Sequence, residues 1–270
     1  MEDPLDAAAP GTVIGCWRYP VKSLQGLGVD HLDIGVDAIA GDRAHALIDV
    51  GSGRLLSAKR TASLLHASAT DDGIALPDGA TVAFDRDDAD DVLSSWLGRP
   101  VHLASLDETG QRSYDMTFDP PNDDADYYEI PAPAGTFLDL AAVHLITTAT
   151  LQGCTDARPD LDWDVRRFRP NLLLDVDGPL FVEGTWAGRE LEVGHAVLRI
   201  MGPTVRCAMP LRAQPDGLDR QPDLFGAMTE LNGTNPNHLG AYAEVATPGV
   251  VAVGDPVVLR SGEEALDQGR

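Results

Sequence analysis

No apolar run in this 270-residue chain is long, and most are stopped within a few residues by glycine or a polar turn. Segments of that length suit strands joined by turns better than helices. Thr12 to Tyr19 and Val29 to Ile34 are brief runs of this kind. Arg43 to Val50 alternates imperfectly through Ala44, Ala46, Ile48 and Val50, as a strand half-buried on one face would, and Gly51-Ser52-Gly53 then turns into Arg54 to Ser57. Ile74 to Leu76 and Thr81 to Phe84 flank Pro77-Asp78-Gly79, a second hairpin. Helical spacing is clearest at Val92, Leu93, Trp96 and Leu97 in Asp87 to Leu97, closed by Gly98. Val101 to Leu106 resumes strand.

In the second half, Leu138 to Ile146, Asn171 to Val176 and Ala196 to Met201 read as strands. A short helix is expected from Thr148 through Leu151 to Cys154. Tyr242 to Val245 and Gly249 to Leu259 alternate, with Gly254-Asp255 as a turn. Two stretches lack periodicity: 107–135, around Phe118-Asp119-Pro120-Pro121-Asn122-Asp123-Asp124, and 211–238. Many short strands and few helices predict a mainly β (α+β) chain with barrel-like architecture.

Charge narrows the function classes. Against 43 acids stand 20 bases, a net of −23, and only two of the bases are lysines, Lys22 and Lys59. Nucleic-acid binding needs clustered cations and is excluded on this balance. Self-repulsion of this size is relieved by salt, so a halophilic protein is expected. Stability that rises with ionic strength is its measurable consequence, and full stability at low salt contradicts it. A hydrophobic content of 43 % is ample for a core, and no run approaches the ~20 apolar residues that cross a bilayer. Met1 to Asp6 is acidic rather than signal-like. A cytoplasmic location away from membranes is expected.

Cys16, Cys154 and Cys207 make neither a disulfide framework nor a Cys-x-x-Cys pair, so no iron–sulfur or structural zinc site of the usual spacing is expected. Cys207 stands apart. It follows Arg206 within Gly202-Pro203-Thr204-Val205-Arg206-Cys207-Ala208-Met209-Pro210, between prolines that would end a helix or central strand. A neighbouring guanidinium favours thiolate, the nucleophilic and metal-binding form. The residues alone leave open that Cys207 is a small packing residue. Cys16 and Cys154 read as packing residues, and His144 as a core or rim histidine. A Cys207–His238 hydrolytic dyad has no spacing signature behind it, and the aspartate runs read as solvated surface.

Several segments together resemble the MOSC family, named for the C-terminal part of molybdenum-cofactor sulfurase. Tyr19-Pro20-Val21-Lys22-Ser23-Leu24 and Gly41-Asp42-Arg43 resemble the β-barrel module that precedes many MOSC domains. Phe168-Arg169-Pro170-Asn171, Trp186-Ala187-Gly188, Pro203-Thr204-Val205-Arg206-Cys207 and Val253-Gly254-Asp255-Pro256-Val257 resemble successive landmarks of the domain itself. Order and spacing agree from about residue 12 to 260. The resemblance implies an N-terminal β-barrel-like module (10–106), a linker or surface loop (107–135) and a MOSC β-barrel domain (136–262) with a few short helices.

The likeness extends to stand-alone proteins such as the mitochondrial amidoxime reducing component. It implies a molybdenum cofactor (molybdopterin with Mo) with Cys207 as metal ligand and catalytic centre, a soft donor suited to that metal. Lys22, Ser23, Arg43, Thr147, Thr148, Arg169, Asn171 and Arg206 are the implied cofactor contacts, arginine forks suiting phosphate. The implied activity is reduction of N-hydroxylated or N-oxide small molecules with electrons from an external donor, a ferredoxin or reductase. Two alternatives stay open: a sulfurtransferase carrying a persulfide on Cys207, or a non-catalytic cofactor carrier.

Overall fold

The structure, a computed structural model, describes residues 11–106, 112–132 and 136–260. The acidic segment Met1 to Asp6, parts of the expected linker (107–111 and 133–135) and residues 261–262 lie outside the described residues. In chain order the first half runs β1 (Gly11–Arg18), β2 (Leu27–Val29), β3 (His31–Ile34), β4 (His45–Asp49), β5 (Ser68–Ala69), β6 (Gly73–Ala75) and β7 (Thr81–Ala83). Helix α1 (Ala89–Leu97), β8 (Val101–Ser105), β9 (Ser113–Met116) and β10 (Tyr128–Pro131) follow. The second half holds β11 (Val143–Thr147), α2 (Thr148–Ala157), α3 (Val165–Phe168), β12 (Leu172–Asp175), β13 (Glu190–Val193) and β14 (Ala196–Val205). It ends with α4 (Asp223–Leu231), β15 (His238–Thr247), β16 (Gly249–Ala252) and β17 (Pro256–Leu259).

Seven strands close a barrel in the order β12-β11-β15-β14-β13-β17-β1, with β1 pairing back onto β12 and β2 flanking β1. The mainly β expectation therefore holds. Closure removes the unpaired sheet edges that would otherwise template aggregation. The interior is filled by alternating apolar positions, among them Val13, Leu145, Leu172, Leu198, Ala243 and Val257. Strand β1 comes from the first 18 residues, yet it is a stave of a barrel otherwise built after residue 142. Likewise β3 pairs with β16. The two halves of the sequence are thus interleaved through their strands.

A second core lies in the N-terminal half, around Val21, Leu24, Leu47, Leu65, Ile74 and Leu93. Helix α1 lays Leu93 on it and ends at Gly98, whose φ of +67° is the left-handed cap that glycine takes at least cost. Met209 and Cys207 pack against this same cluster. The loop leaving the barrel at β14 therefore docks into the N-terminal core, and Cys207 sits where the two cores meet.

Local expectations fail in three places. The segment after residue 107 contains the β9–β10 hairpin, with Tyr114 opposite Ile130. Residues 211–238 contain α4, whose Leu224, Ala227, Met228 and Leu231 do recur at helical spacing, though Pro222 and Gly226 mask the pattern. Pro203 does not end its strand: β14 runs through it to Val205. Strand β13 pairs β14 only as far as Arg199, and the β14–β15 register shifts on both sides of Pro203. The missing N–H thus falls where no ladder needs it. At the C-terminal end, β16 and β17 part company, β17 joining β13 and β1.

Candidate functional site

Two clefts meet at Cys207. The inner one, about 70 Å³, is walled by Arg43, Asn171, Arg169, Arg206 and the segment Leu138 to Ala141. The outer one, about 410 Å³, is largely apolar. Cys207, Arg206, Asp139 and Tyr242 belong to both. Cys207 is partly exposed, whereas Cys16 and Cys154 are buried, and burial pushes their thiols up to about 11 and about 12. Those two are packing residues, as the sequence suggests.

The arginines are held by backbone built for the purpose. Six non-glycine residues among those described have positive φ, and three of them are Ser23 (+70°), Arg43 (+47°) and Arg169 (+56°). Such conformations cost about 1–3 kcal/mol each and persist where surrounding structure over-determines them. Arg169 caps the four-residue α3 in the left-handed region, and the following Pro170 bars its helical alternative. Its Nη1 donates to Leu24 O at 2.6 Å, and its guanidinium lies 4.2 Å from the Tyr19 ring centre. Arg43 covers the same ring at 4.9 Å and pairs with Asp42. Burial lifts the Tyr19 hydroxyl to about 12, and it donates to Pro170 O at 3.0 Å.

Arg206 Nη2 donates to Phe168 O at 2.7 Å, and Nη1 lies 3.3 Å from His144 Nε2. A guanidinium can only donate, so Nε2 must accept, and the imidazole proton resides on Nδ1, 3.3 Å from Arg169 O. His144 is therefore neutral and orients both arginines. Burial, then Arg206, drives its pKa well below the ordinary histidine value. Strand β15 approaches this ring at Gly240, with φ +82°. A Cβ there would lie 2.5 Å from His144 Nε2 and 2.8 Å from Leu145 O, so glycine is required.

That neutral histidine sets a pH dependence. Its folded pKa lies below the unfolded value of about 6.5, so its contribution is complete above pH ~6.5 and is lost as pH falls below it. The loss is at most about 1.4 kcal/mol per pH unit. His45, half-buried against Phe84 and likewise lowered by its partial burial, adds in the same direction. Glu183, whose carboxyl burial raises, has the opposite sign. The expected result is a shallower decline in unfolding free energy from pH 6.5 to 5 for His144→Asn than for the parent chain. Identical slopes would show that His144 does not titrate on unfolding.

Both lysines of the chain converge on one carboxylate. Lys22 Nζ lies 2.6 Å from Asp139 Oδ1 and donates to Phe137 O at 2.7 Å, while Lys59 Nζ lies 3.2 Å from Asp139 Oδ2. Both are 5 % exposed, and both ammonium groups sit over the Tyr114 ring, at 5.4 and 4.4 Å. Burial would raise the Asp139 carboxyl, but the two ammonium groups outweigh it and hold it well below the usual range. Burial lowers Lys22. In Lys59 burial is outweighed by Asp139, with Cys207 and Tyr114 contributing, and its pKa rises.

Five cations (Lys22, Arg43, Lys59, Arg169 and Arg206) thus face two carboxylates, Asp42 and Asp139, in a chain of net charge −23. Burial lowers Arg206, and lowers Arg169 to about 10. Buried charge of one sign in this excess is expensive unless a counter-ion meets it. Arg206 Nε is moreover buried without a hydrogen-bond partner among the described residues. The donor set fits an anionic ligand with several acceptors, phosphate above all.

The sequence-derived contacts divide. Arg43, Arg169, Asn171, Arg206 and Cys207 share the inner cleft. Asn171 also ties the barrel together, accepting from His144 N at 3.1 Å and donating to Trp17 O at 3.2 Å. Lys22 reaches the site through Asp139, and Ser23 is buried beside it without lining either cleft. Thr147 and Thr148 are not in the site. Thr147 caps α2 and donates to Glu183 at 2.9 Å, and Thr148 donates to Asp175 at 2.8 Å. Their positions at the barrel-to-helix junction serve that junction. Lys59, Asp139, Tyr114 and Tyr242 are site residues that the sequence does not single out, and His144, expected as a core or rim histidine, is buried on the wall of the inner cleft. Lys59 alone carried a signal, as the second of two lysines. His238 bonds to Pro236 O and lines neither Cys207 cleft, so the dyad does not form.

Fold and site together define a closed β-barrel protein with a buried cationic pocket beside a cysteine. Residues 134–258 match the family described as MOSC domain. Among solved structures, the YuaD protein from Bacillus subtilis is similar at 11 % identity and TM-score 0.43, over 94 % of this chain and 97 % of that one. YiiM from Geobacillus stearothermophilus is similar at 17 % identity and TM-score 0.35, over 57 % and 73 %. No curated protein matches the sequence. Among the described residues no helix is long and apolar enough to cross a membrane.

Proposed function

We propose that the chain is a molybdenum-cofactor-dependent oxidoreductase that removes oxygen from N-hydroxylated or N-oxide small molecules. The carrying observation is the excess of buried cations grouped around one accessible thiol. MOSC domains are generally linked to molybdenum-cofactor chemistry, and this cofactor carries a phosphate of the kind that such a cationic donor set suits. Among the described residues no group of three or more His, Cys, Asp and Glu side chains is placed to hold a metal ion by itself. Cys207 would contribute one soft ligand to a metal otherwise held by the cofactor's own donors. Arg43, Arg169 and Arg206 would seat the anionic portion, with Lys22 and Lys59 behind Asp139. The inner cleft has room for a group of phosphate size.

When bound, the cofactor supplies the redox chemistry; the protein binds, orients and electrostatically tunes it. The balance is R–NH–OH + 2 e⁻ + 2 H⁺ → R–NH2 + H2O, the electrons coming from an external ferredoxin or reductase. Lys59 Nζ, protonated against Asp139 on the outer-cleft wall, holds one proton within the site. The test is metal and pterin analysis of purified protein. About one molybdenum per chain with pterin fluorescence after oxidation is the expected result. Cyanide-releasable sulfur without molybdenum would point to persulfide transfer through Cys207. Absence of both would overturn the metal-binding reading.

A further inference from the structure

We propose that the outer cleft seats a neutral or anionic aryl group, with its polar end toward Cys207, and rejects cationic aryl compounds. The inference rests on the proposed function only in taking Cys207 as the reacting end. Size comes first. At about 410 Å³ the cleft lies in the range of small-molecule sites, roughly 300–1,000 Å³. A cavity of about 150 Å³ accepts benzene, so one or two rings fit here.

Its lining is aromatic where it opens. Tyr114, Phe118, Phe225 and Tyr242 contribute rings, and Met116 and Pro120 fill between them. Phe118 is 76 % exposed and tilts against Tyr128 at 5.4 Å between ring centres. Leu140 and Val205, on the same walls, are 59 % and 58 % exposed. In a chain of net charge −23, large apolar side chains left in water around a single cleft mark a binding surface. Aromatic walls favour flat ligands through offset or edge-to-face ring contacts.

Charge decides the rest. The cleft wall carries Lys59 and Arg206 as cations and Asp139 as its one carboxylate. That carboxylate is already committed, one oxygen to Lys22 and the other to Lys59. A ligand cation entering the cleft would meet two positive groups, and the one carboxylate of the wall is already paired with both lysines. An acceptor oxygen or an anion would meet donors.

Benzamide and benzamidine are nearly the same shape and differ by one positive charge, so they isolate the charge effect, while acetamide isolates the ring. Calorimetric titration of the full chain as purified should give benzamide about tenfold tighter binding than either of the others, about 1.4 kcal/mol. Phe118→Ala, at an exposed position, should weaken benzamide at least several-fold while leaving the melting temperature unchanged. Lys59→Gln should narrow the gap between benzamide and benzamidine; should that variant not fold, the parent-chain comparison stands by itself. Equal or tighter benzamidine binding, acetamide matching benzamide, no benzamide binding at millimolar concentration, or an unaffected Phe118→Ala would each overturn the inference. None of these readouts requires turnover. Molybdenum-free protein that still prefers benzamide would sink the proposed function and spare this one.

Discussion

Cys207→Ala is expected to abolish reductase activity and molybdenum retention while leaving the fold in place. The thiol is half-buried at the rim of the N-terminal core, and alanine keeps its Cβ, so the packing loss is small. The functional loss should exceed the ~10–100-fold typical when a residue that merely orients a metal ligand is removed. Cys16→Ala, inside the barrel core, is the control: it removes a thiol without touching either cleft. Activity and metal content assayed side by side decide the matter. A Cys207→Ala protein that keeps molybdenum and turns over substrate removes the sulfur ligand from the proposal.

Arg167→Met is expected to give the largest structural effect. Arg167 is fully buried, and its guanidinium donates to Pro210 O at 3.2 Å, Arg212 O at 3.4 Å and Asp219 O at 3.0 Å, with Asp162 3.4 Å away. Those carbonyls belong to the segment just after Cys207, so this one side chain fixes the exit of the cysteine loop. Methionine fills similar space but strands the acceptors, at about 1–3 kcal/mol for each that stays dry. A total near 3 kcal/mol would lower the melting temperature by roughly 6–12 °C. Faster alkylation of Cys207 should accompany it as the loop loosens. A melting temperature within about a degree of the parent would show that water replaces the guanidinium without loss.

Much of this was legible in sequence because it is local. Short runs between turns announced strands, and the Gly98 cap closed a visible helical stripe. Arg169 before Pro170 and Lys22-Ser23 stood out because an acid-rich chain rarely spends cations. The missed pieces are those whose meaning depends on partners far along the chain. Asp139 is one aspartate in a crowd until Lys22, 117 residues earlier, lies 2.6 Å away. Thr147 and Thr148 had suitable hydroxyls, but a hydroxyl at the first turn of a helix finds backbone and carboxylate partners within a few residues. Helix α4 was hidden because Pro222 and Gly226 carry turn signals that tertiary burial of Leu224 and Met228 overrides.

Taken by itself, the order of the residues settles which segments extend, where the chain turns, how little positive charge it owns and that one thiol lies beside a guanidinium. Those are properties of neighbours, governed by steric and dihedral preferences over a few bonds. Folding alone decides that β1 crosses to complete the barrel and that scattered cations gather around that thiol. The reason is energetic: hiding like charges together is unfavourable residue by residue, and it becomes tolerable only once the two cores close over a shared pocket.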